Sequence, residues 1–230
     1  MQKVNPKKNN IETIIFDLDD TLISSHKVLL EAFGYAVEPF GIRLSVEQIE
    51  AMRGMSDKEL FIEHLERDQA NIALKRLWEY SFNSANKTTL IPGVAEILEN
   101  LRQNSIQLGV WTARDKKSAL NILKIHNIDD YFQEVIGGNC LKTNKPNPAG
   151  LIMLSEKISS SLDNMMHIGD HEHDIIGANS AGVTSGHAKW QDKDFDDITM
   201  HEPEFIFHTV DEFGGWAEKY LYNKKEKIHV

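Results

Sequence analysis

The chain has 230 residues, 41% hydrophobic and 26% charged, proportions that belong to an ordinary globular fold and exclude a disordered or collagen-like chain. A formal net charge of −10 opposes a nucleic-acid backbone as main partner, and no apolar run approaches the ~20 residues a membrane span requires. The lone Cys140 excludes a disulfide framework, and the stretch holding Lys3, Lys7 and Lys8 lacks the apolar core of a secretory signal, so a cytoplasmic protein is expected.

The first predicted element is Thr13-Ile14-Ile15-Phe16, a short apolar run that reads as a strand buried on both faces, as in a parallel sheet. It runs into Asp17, Asp19, Asp20 and Thr21. Residues 23–88 carry helical spacings (Leu60, Phe61, His64, Leu65, then Ile72, Leu74, Leu77, Trp78) and no strand, so they read as a helical insert that returns at Leu90-Ile91-Pro92-Gly93. Pro92 marks the start of a helix whose Val94, Ile97, Leu98 and Leu101 fall at i, i+3, i+4 and i+7. A strand over Gln107–Thr112 follows, then a helix with Ala119, Leu120 and Leu123, a strand over Glu134–Gly138, and a helix with Leu151, Leu154 and Ile158. Met165–Asp170 is the next strand, with weaker strand signals at Gly182–Lys189 and Phe205–Phe207 and a solvated tail at Lys224–Lys227. Strands alternating with helices predict an α/β fold, a doubly wound and mainly parallel sheet, with core segments 1–22 and 89–230 and a helical domain at 23–88.

Polar residues that call for explanation stand where apolar runs end: Asp17, Asp19, Asp20 and Thr21, then Thr112, then Lys145, then Asp170 and Asp174. In open α/β sheets ligands bind beyond the carboxyl ends of the strands, so these residues are expected to meet in one crevice. Acidic side chains gathered at such an edge need a compensating positive charge. The residue types suit phosphoryl transfer, with carboxylates as nucleophile and cation ligands, a hydroxyl for a phosphate oxygen and a lysine for developing charge.

With DxDxT at Asp17–Thr21, a strand-terminal Thr112, Lys145 in Lys145-Pro146-Asn147-Pro148 and GDxxxD from Gly169 to Asp174, the chain resembles the haloacid dehalogenase superfamily of phosphohydrolases. Pro92-Gly93-Val94 resembles the phosphoglycolate-phosphatase-like branch, which carries a helical cap inserted after the first motif. The resemblance implies a Rossmann-like core and a Mg²⁺-dependent phosphatase acting on a small phosphorylated metabolite. It implies Asp17 as nucleophile and Asp19 as general acid and then base. Thr112 and the Ala113 amide would hold phosphoryl oxygens, and Lys145 would neutralise charge. Asp17, the Asp19 carbonyl and Asp170 would bind Mg²⁺, and Asp174 would bind the metal through water or orient Lys145. Ala113 and His171 depart from the Asn and the hydroxyl residue common in relatives, and neither change removes a charge.

Arg53, in the insert, and Arg114, at the mouth of the crevice, are candidates for contact with an anionic substrate, each weighed against a plain surface arginine. His171 and His173 sit in an Asp-His-Glu-His-Asp run, but alternating loop positions converge poorly and no second cluster completes a zinc set, so they read as non-ligands. The competing readings are a β-phosphoglucomutase-like phosphotransferase, which Thr21 disfavours, and a non-catalytic phosphate-binding or receiver-like module. In a receiver the acidic pair precedes the phospho-acceptor; here the order is reversed.

Overall fold

The computed structural model describes residues 10–52, 61, 65–191 and 201–222. Six parallel strands form one sheet: β1 (Thr13–Phe16), β4 (Gln107–Trp111), β5 (Glu134–Ile136), β6 (Met165–Gly169), β7 (Thr184–Ala188) and β8 (Phe205–Phe207), in the order β5-β4-β1-β6-β7-β8. Two further strands, β2 (Ile23–Ser24) and β3 (Thr89–Leu90), pair antiparallel outside that sheet. The weakly signalled strands at β7 and β8 are present, β1 ends where expected, β4, β5 and β6 end one or two residues earlier, and β2 corrects the reading of 23–88 as free of strands. Two residues are too few to show a period.

Alternation along β1 divides the core. Ile14 and Phe16 pack with α4 (Val94–Gln103), α5 (Lys116–Ile125) and α8 (Val210–Tyr220). Ile15 packs on the other face with Trp111, Met165 and the Leu151 and Leu154 side chains of α6 (Ala149–Ile158). Burial on both faces is what the unbroken apolar run dictates. The helical stripe of α4 is fully inward, whereas Leu120 on α5 is 40% exposed and Ile72 is 50% exposed, against expectation. Asp115 and Thr209 cap α5 and α8 with their side chains, each accepting a backbone N–H three residues on.

Between β2 and β3 lie α1 (His26–Val37), α2 (Val46–Met52) and α3 (Arg67–Asn83), with a separate apolar cluster of Phe33, Ala36, Ile49, Phe61, Leu65, Ala73 and Leu77. The α3 helix touches α5: Ser118 donates to the Trp78 carbonyl and Asn121 to the Phe82 carbonyl.

After β1 the chain visits β4 and β5 on one side, then crosses to β6, β7 and β8 on the other. The reversal falls at β1, and register aligns Phe16 with both Val110 and Ile168. Asp17, Thr112 and Asp170, each the next residue after its strand, therefore emerge together at the switch point, where such folds place their ligands.

Candidate active site

The turn after β1 is tight. Leu22 and Ile23 donate backbone N–H groups to the Leu18 carbonyl, and Asp20 has φ +58, a left-handed conformation that Asp tolerates. The Asp20 carboxylate accepts the Ser25 N–H at 3.0 Å, which gives it a part in building the turn.

Asp17 is buried, and the Lys145 ammonium lies 2.6 Å from its Oδ1. The same ammonium lies 2.6 Å from Asp174 Oδ1. Lys145 comes from the loop before α6 and sits over the Trp111 ring, 4.9 Å from its centroid. Asp174 lies in the first turn of α7 (Glu172–Ala181). Its Oδ1 also meets His167 Nε2 at 3.0 Å, and its Oδ2 accepts the His171 N–H at 3.2 Å, closing the N-terminal cap of α7. Gly169 allows this approach, because a Cβ there would lie 2.2 Å from the Asp174 carboxyl carbon.

Carboxylate atoms of Asp17, Asp170 and Asp174 lie within 4.8 Å of one another. Burial, reinforced by Asp174, Asp170 and Asp19, pushes the Asp17 carboxyl well above the ordinary range despite Lys145. Burial works against charge on Lys145 and Asp174 too. There the ion pairing wins: Asp17 and Asp174 raise the lysine, while Lys145 and His167 hold Asp174 far below the usual carboxylate value. Burial lowers His167.

Thr112 is buried beside the crevice, its N–H on the Ile136 carbonyl and its hydroxyl accepting the Arg114 N–H at 3.2 Å. Ala113 lies between them, half-buried. The Thr21 hydroxyl is 3.5 Å from Asp170 Oδ1. Arg114 is buried rather than poised at a surface, and its guanidinium grips Asp19: Nε lies 2.9 and 2.7 Å from the two carboxylate oxygens and Nη2 lies 2.7 Å from Oδ1. Ser25 Oγ also donates to Asp19 Oδ1.

The structure thus brings together Asp17, Lys145, Asp170 and Asp174, with Thr112 and Ala113 on the neighbouring strand end and the Arg114–Asp19 pair beside them. Arg53 lies outside the described residues. The His171 ring is occupied within the α7 cap, where Nδ1 accepts the His173 N–H at 3.2 Å, and the two rings meet edge to face. His167 and Trp111 were missed as neighbours of this site. A histidine inside the otherwise apolar Met165–Gly169 run was the available signal; nothing in the sequence separates Trp111 from an ordinary core residue.

The oxygen-only donor set and the excess of buried negative charge fit a hard divalent cation better than a soft one. An open α/β sheet with an acid- and lysine-lined crevice at its switch point belongs to the class of α/β proteins that bind ligands beyond the carboxyl ends of their strands. Residues 14–188 match the model of the haloacid dehalogenase-like hydrolases, and the chain belongs to that family; it is a hydrolase. It is 28% identical over 206 residues to the pyrophosphatase PpaX of Listeria innocua, spanning 87% of this chain and 93% of that one. It is 29% identical over 217 residues to a phosphoglycolate phosphatase of Vibrio parahaemolyticus, spanning 89% and 95%. A crystal structure of a hydrolase from Pseudomonas syringae superposes with a TM-score of 0.81 at 20% identity, covering 90% of this chain and 98% of that one, which shows the shared fold. Among the described residues, no helix is long and apolar enough to cross a membrane.

Proposed function

We propose that this protein is a Mg²⁺-dependent phosphatase that hydrolyses a small phosphomonoester through an aspartyl-phosphate on Asp17. The observation that carries the reading is the convergence of Asp17, Lys145, Asp170 and Asp174, from three separate stretches of chain, within one buried cluster. The phosphatase names of the relatives agree with it.

In the first step a carboxylate oxygen of Asp17 attacks phosphorus and the bond from phosphorus to the leaving oxygen breaks. Asp19 gives that oxygen its proton. In the second, Asp19 takes a proton from water as the water attacks the aspartyl-phosphate, releasing inorganic phosphate and restoring Asp17. Lys145 keeps Asp17 aimed and offsets charge in both steps, and Asp174, held by His167 and the His171 amide, fixes Lys145. Thr112 and the Ala113 amide hold phosphoryl oxygens. Asp17, the Asp19 carbonyl and Asp170 would bind Mg²⁺, which supplies charge neutralisation at the phosphoryl oxygens.

Residues 23–88 serve as a helical cap over a core of 1–22 and 89–230, favouring small metabolites by closing on them and excluding water. The lone cysteine suits a reducing cytoplasm. Thr21 and the phosphatase relatives favour hydrolysis over transfer.

A phosphate-release screen over a metabolite panel, with and without Mg²⁺, tests the proposal. Release should depend on Mg²⁺ and vanish in a folded Asp17→Asn variant. Full turnover by that variant, or conversion of a sugar 1-phosphate to its 6-phosphate without free phosphate, overturns it.

A further inference from the structure

Strand β7 is buried along its whole length, yet it reads Thr184-Ser185-Gly186-His187-Ala188. His187 is 1% exposed and stands in register beside Gly169, the last residue of β6. An imidazole so deeply buried is costly unless it finds polar partners. Its Nε2 meets the backbone carbonyl of Asp170 at 3.2 Å. A carbonyl oxygen only accepts, so Nε2 carries the proton and donates it. Asp17 has its own N–H tied to the Ile168 carbonyl at 2.8 Å, a continuation of the sheet. Asp170 stands one residue past the last registered pair of β6 and β7, so the His187 ring takes over where the ladder stops.

Three residues on, Trp190 Nε1 donates to the Thr21 carbonyl at 3.0 Å, and the Thr21 hydroxyl stands 3.5 Å from Asp170 Oδ1. One short segment at the end of β7 therefore holds both acid-bearing loops, the one after β1 and the one after β6. That segment is anchored from its far side. Ala188 pairs with Phe207, the Lys189 N–H donates to the Phe207 carbonyl at 2.8 Å, and the Trp190 and Phe207 rings pack on Phe213 of α8. Neither His187 nor Trp190 belongs to the group of Asp17, Asp170 and Asp174, and no step of the proposed reaction uses them.

Resting on the reading of Asp17 and Asp170 as cation ligands, we infer that His187 and Trp190 are positioning residues that set the aim of Asp170, and with it the affinity of the site for a divalent cation. A carboxylate on a peptide able to pivot at the strand end would lose part of its binding free energy to being ordered. The imidazole and the indole hold that peptide in place beforehand. Histidine suits the task because a rigid ring on two side-chain torsions delivers its donor at a fixed length, whereas a glutamine amide reaching the same point has three torsions to fix.

Calorimetric titration of Mg²⁺ into metal-free protein reads this affinity directly, apart from turnover. Asp170→Asn alters a ligand and should abolish binding, which marks the site. His187→Leu keeps a buried side chain of similar bulk and removes the donor; its Kd should rise about 10–100-fold, the usual effect of loosening the support of a ligating group. His187→Gln returns an N–H to the same region and should recover most of that loss. Trp190→Phe, a milder change to a partly buried ring, should weaken binding about threefold to tenfold, the worth of one neutral hydrogen bond, and it carries the test should His187→Leu fail to fold. A merely structural role lowers the Tm of the metal-free variants and leaves Kd in place. Kd within about twofold of wild type in every variant at 187 and 190 that folds, or His187→Gln as weak as His187→Leu, overturns the positioning role alone. No Mg²⁺ binding by wild type, or equal binding by Asp170→Asn, overturns the cation reading and this inference with it.

Discussion

Replacing Lys145 by Met removes the ammonium that bridges Asp17 and Asp174 while keeping an unbranched side chain of similar length against Trp111. Each contact is 2.6 Å long, and at an effective dielectric constant near 20 each is worth about 6 kcal/mol of direct attraction. Desolvating three charged groups consumes most of that, so the net worth of the pairs is small. Breaking them is different, because both carboxylates stay buried without their cation, at a cost of about 3–5 kcal/mol. For a chain of this size that corresponds to a fall of roughly 6–20 °C in Tm. Urea unfolding followed by circular dichroism, in chelator and at neutral pH, should show the loss. Adding Asp174→Asn to Lys145→Met should recover at least about 1 kcal/mol, since one of the stranded charges is gone. A single variant less than about 1 kcal/mol below wild type would show that the ammonium does not hold these acids together, and the reasoning would fail.

Asp19→Asn should slow hydrolysis of an alkyl phosphate by about 10²–10⁴-fold and affect p-nitrophenyl phosphate far less in its first step, because that leaving group needs no proton; equal losses on both, in burst kinetics, would count against the acid role. In metal-free protein the raised native pKa of Asp17 means that the folded state holds a proton the unfolded chain has released, so stability contributed by this group falls as pH rises from about 4 through the native value. Asp17→Asn should therefore gain stability relative to wild type across that window, and a difference that shrinks as pH rises would be the wrong sign. Gly150→Ala would put a Cβ 2.1 Å from Trp111 Nε1 and 2.5 Å from two further indole atoms. A rigid ring so placed cannot yield, so a loss near 3 kcal/mol is expected in thermal unfolding, with lower kcat because the ring under Lys145 shifts; wild-type stability would refute the packing.

The parallel sheet was legible because β1 is apolar without alternation, and because acids, a threonine and a lysine stand at strand ends where nothing structural requires them. Legibility stopped where identity depends on the partner. Ile72 and Leu120 satisfy a helical period yet face solvent, because periodicity fixes spacing and not which apolar side chains the neighbouring layer will cover. The β2–β3 ribbon is created by the pairing of Ile23 with Leu90, a contact across the whole helical segment. Likewise, Arg114 read as a residue at the crevice mouth until the order of β4 next to β1 set it against Asp19. His167 looked like one polar residue in a buried strand, and only the fold supplies its two partners, the Ile15 carbonyl and Asp174.

The charge balance of the crevice links its stability to its chemistry. Among the described residues, Asp17, Asp19, Asp170 and Asp174 stand against Lys145 and Arg114, so with these six ionised two negative charges remain. That excess is felt at Asp17, where burial and the neighbouring acids favour the protonated form, which on the proposed mechanism could not attack phosphorus. On the proposed mechanism, Asp17, Asp170 and the Asp19 carbonyl would hold a divalent cation, whose charge would offset the excess and favour the ionised form of Asp17. The buried lysine clamped by Asp17 and Asp174 opposes that shift without overcoming it. Keeping three carboxylates within 4.8 Å of one another costs folding stability, and the proposed phosphoryl transfer is a chemistry that would use a carboxylate nucleophile, a hard cation and a fixed ammonium at once.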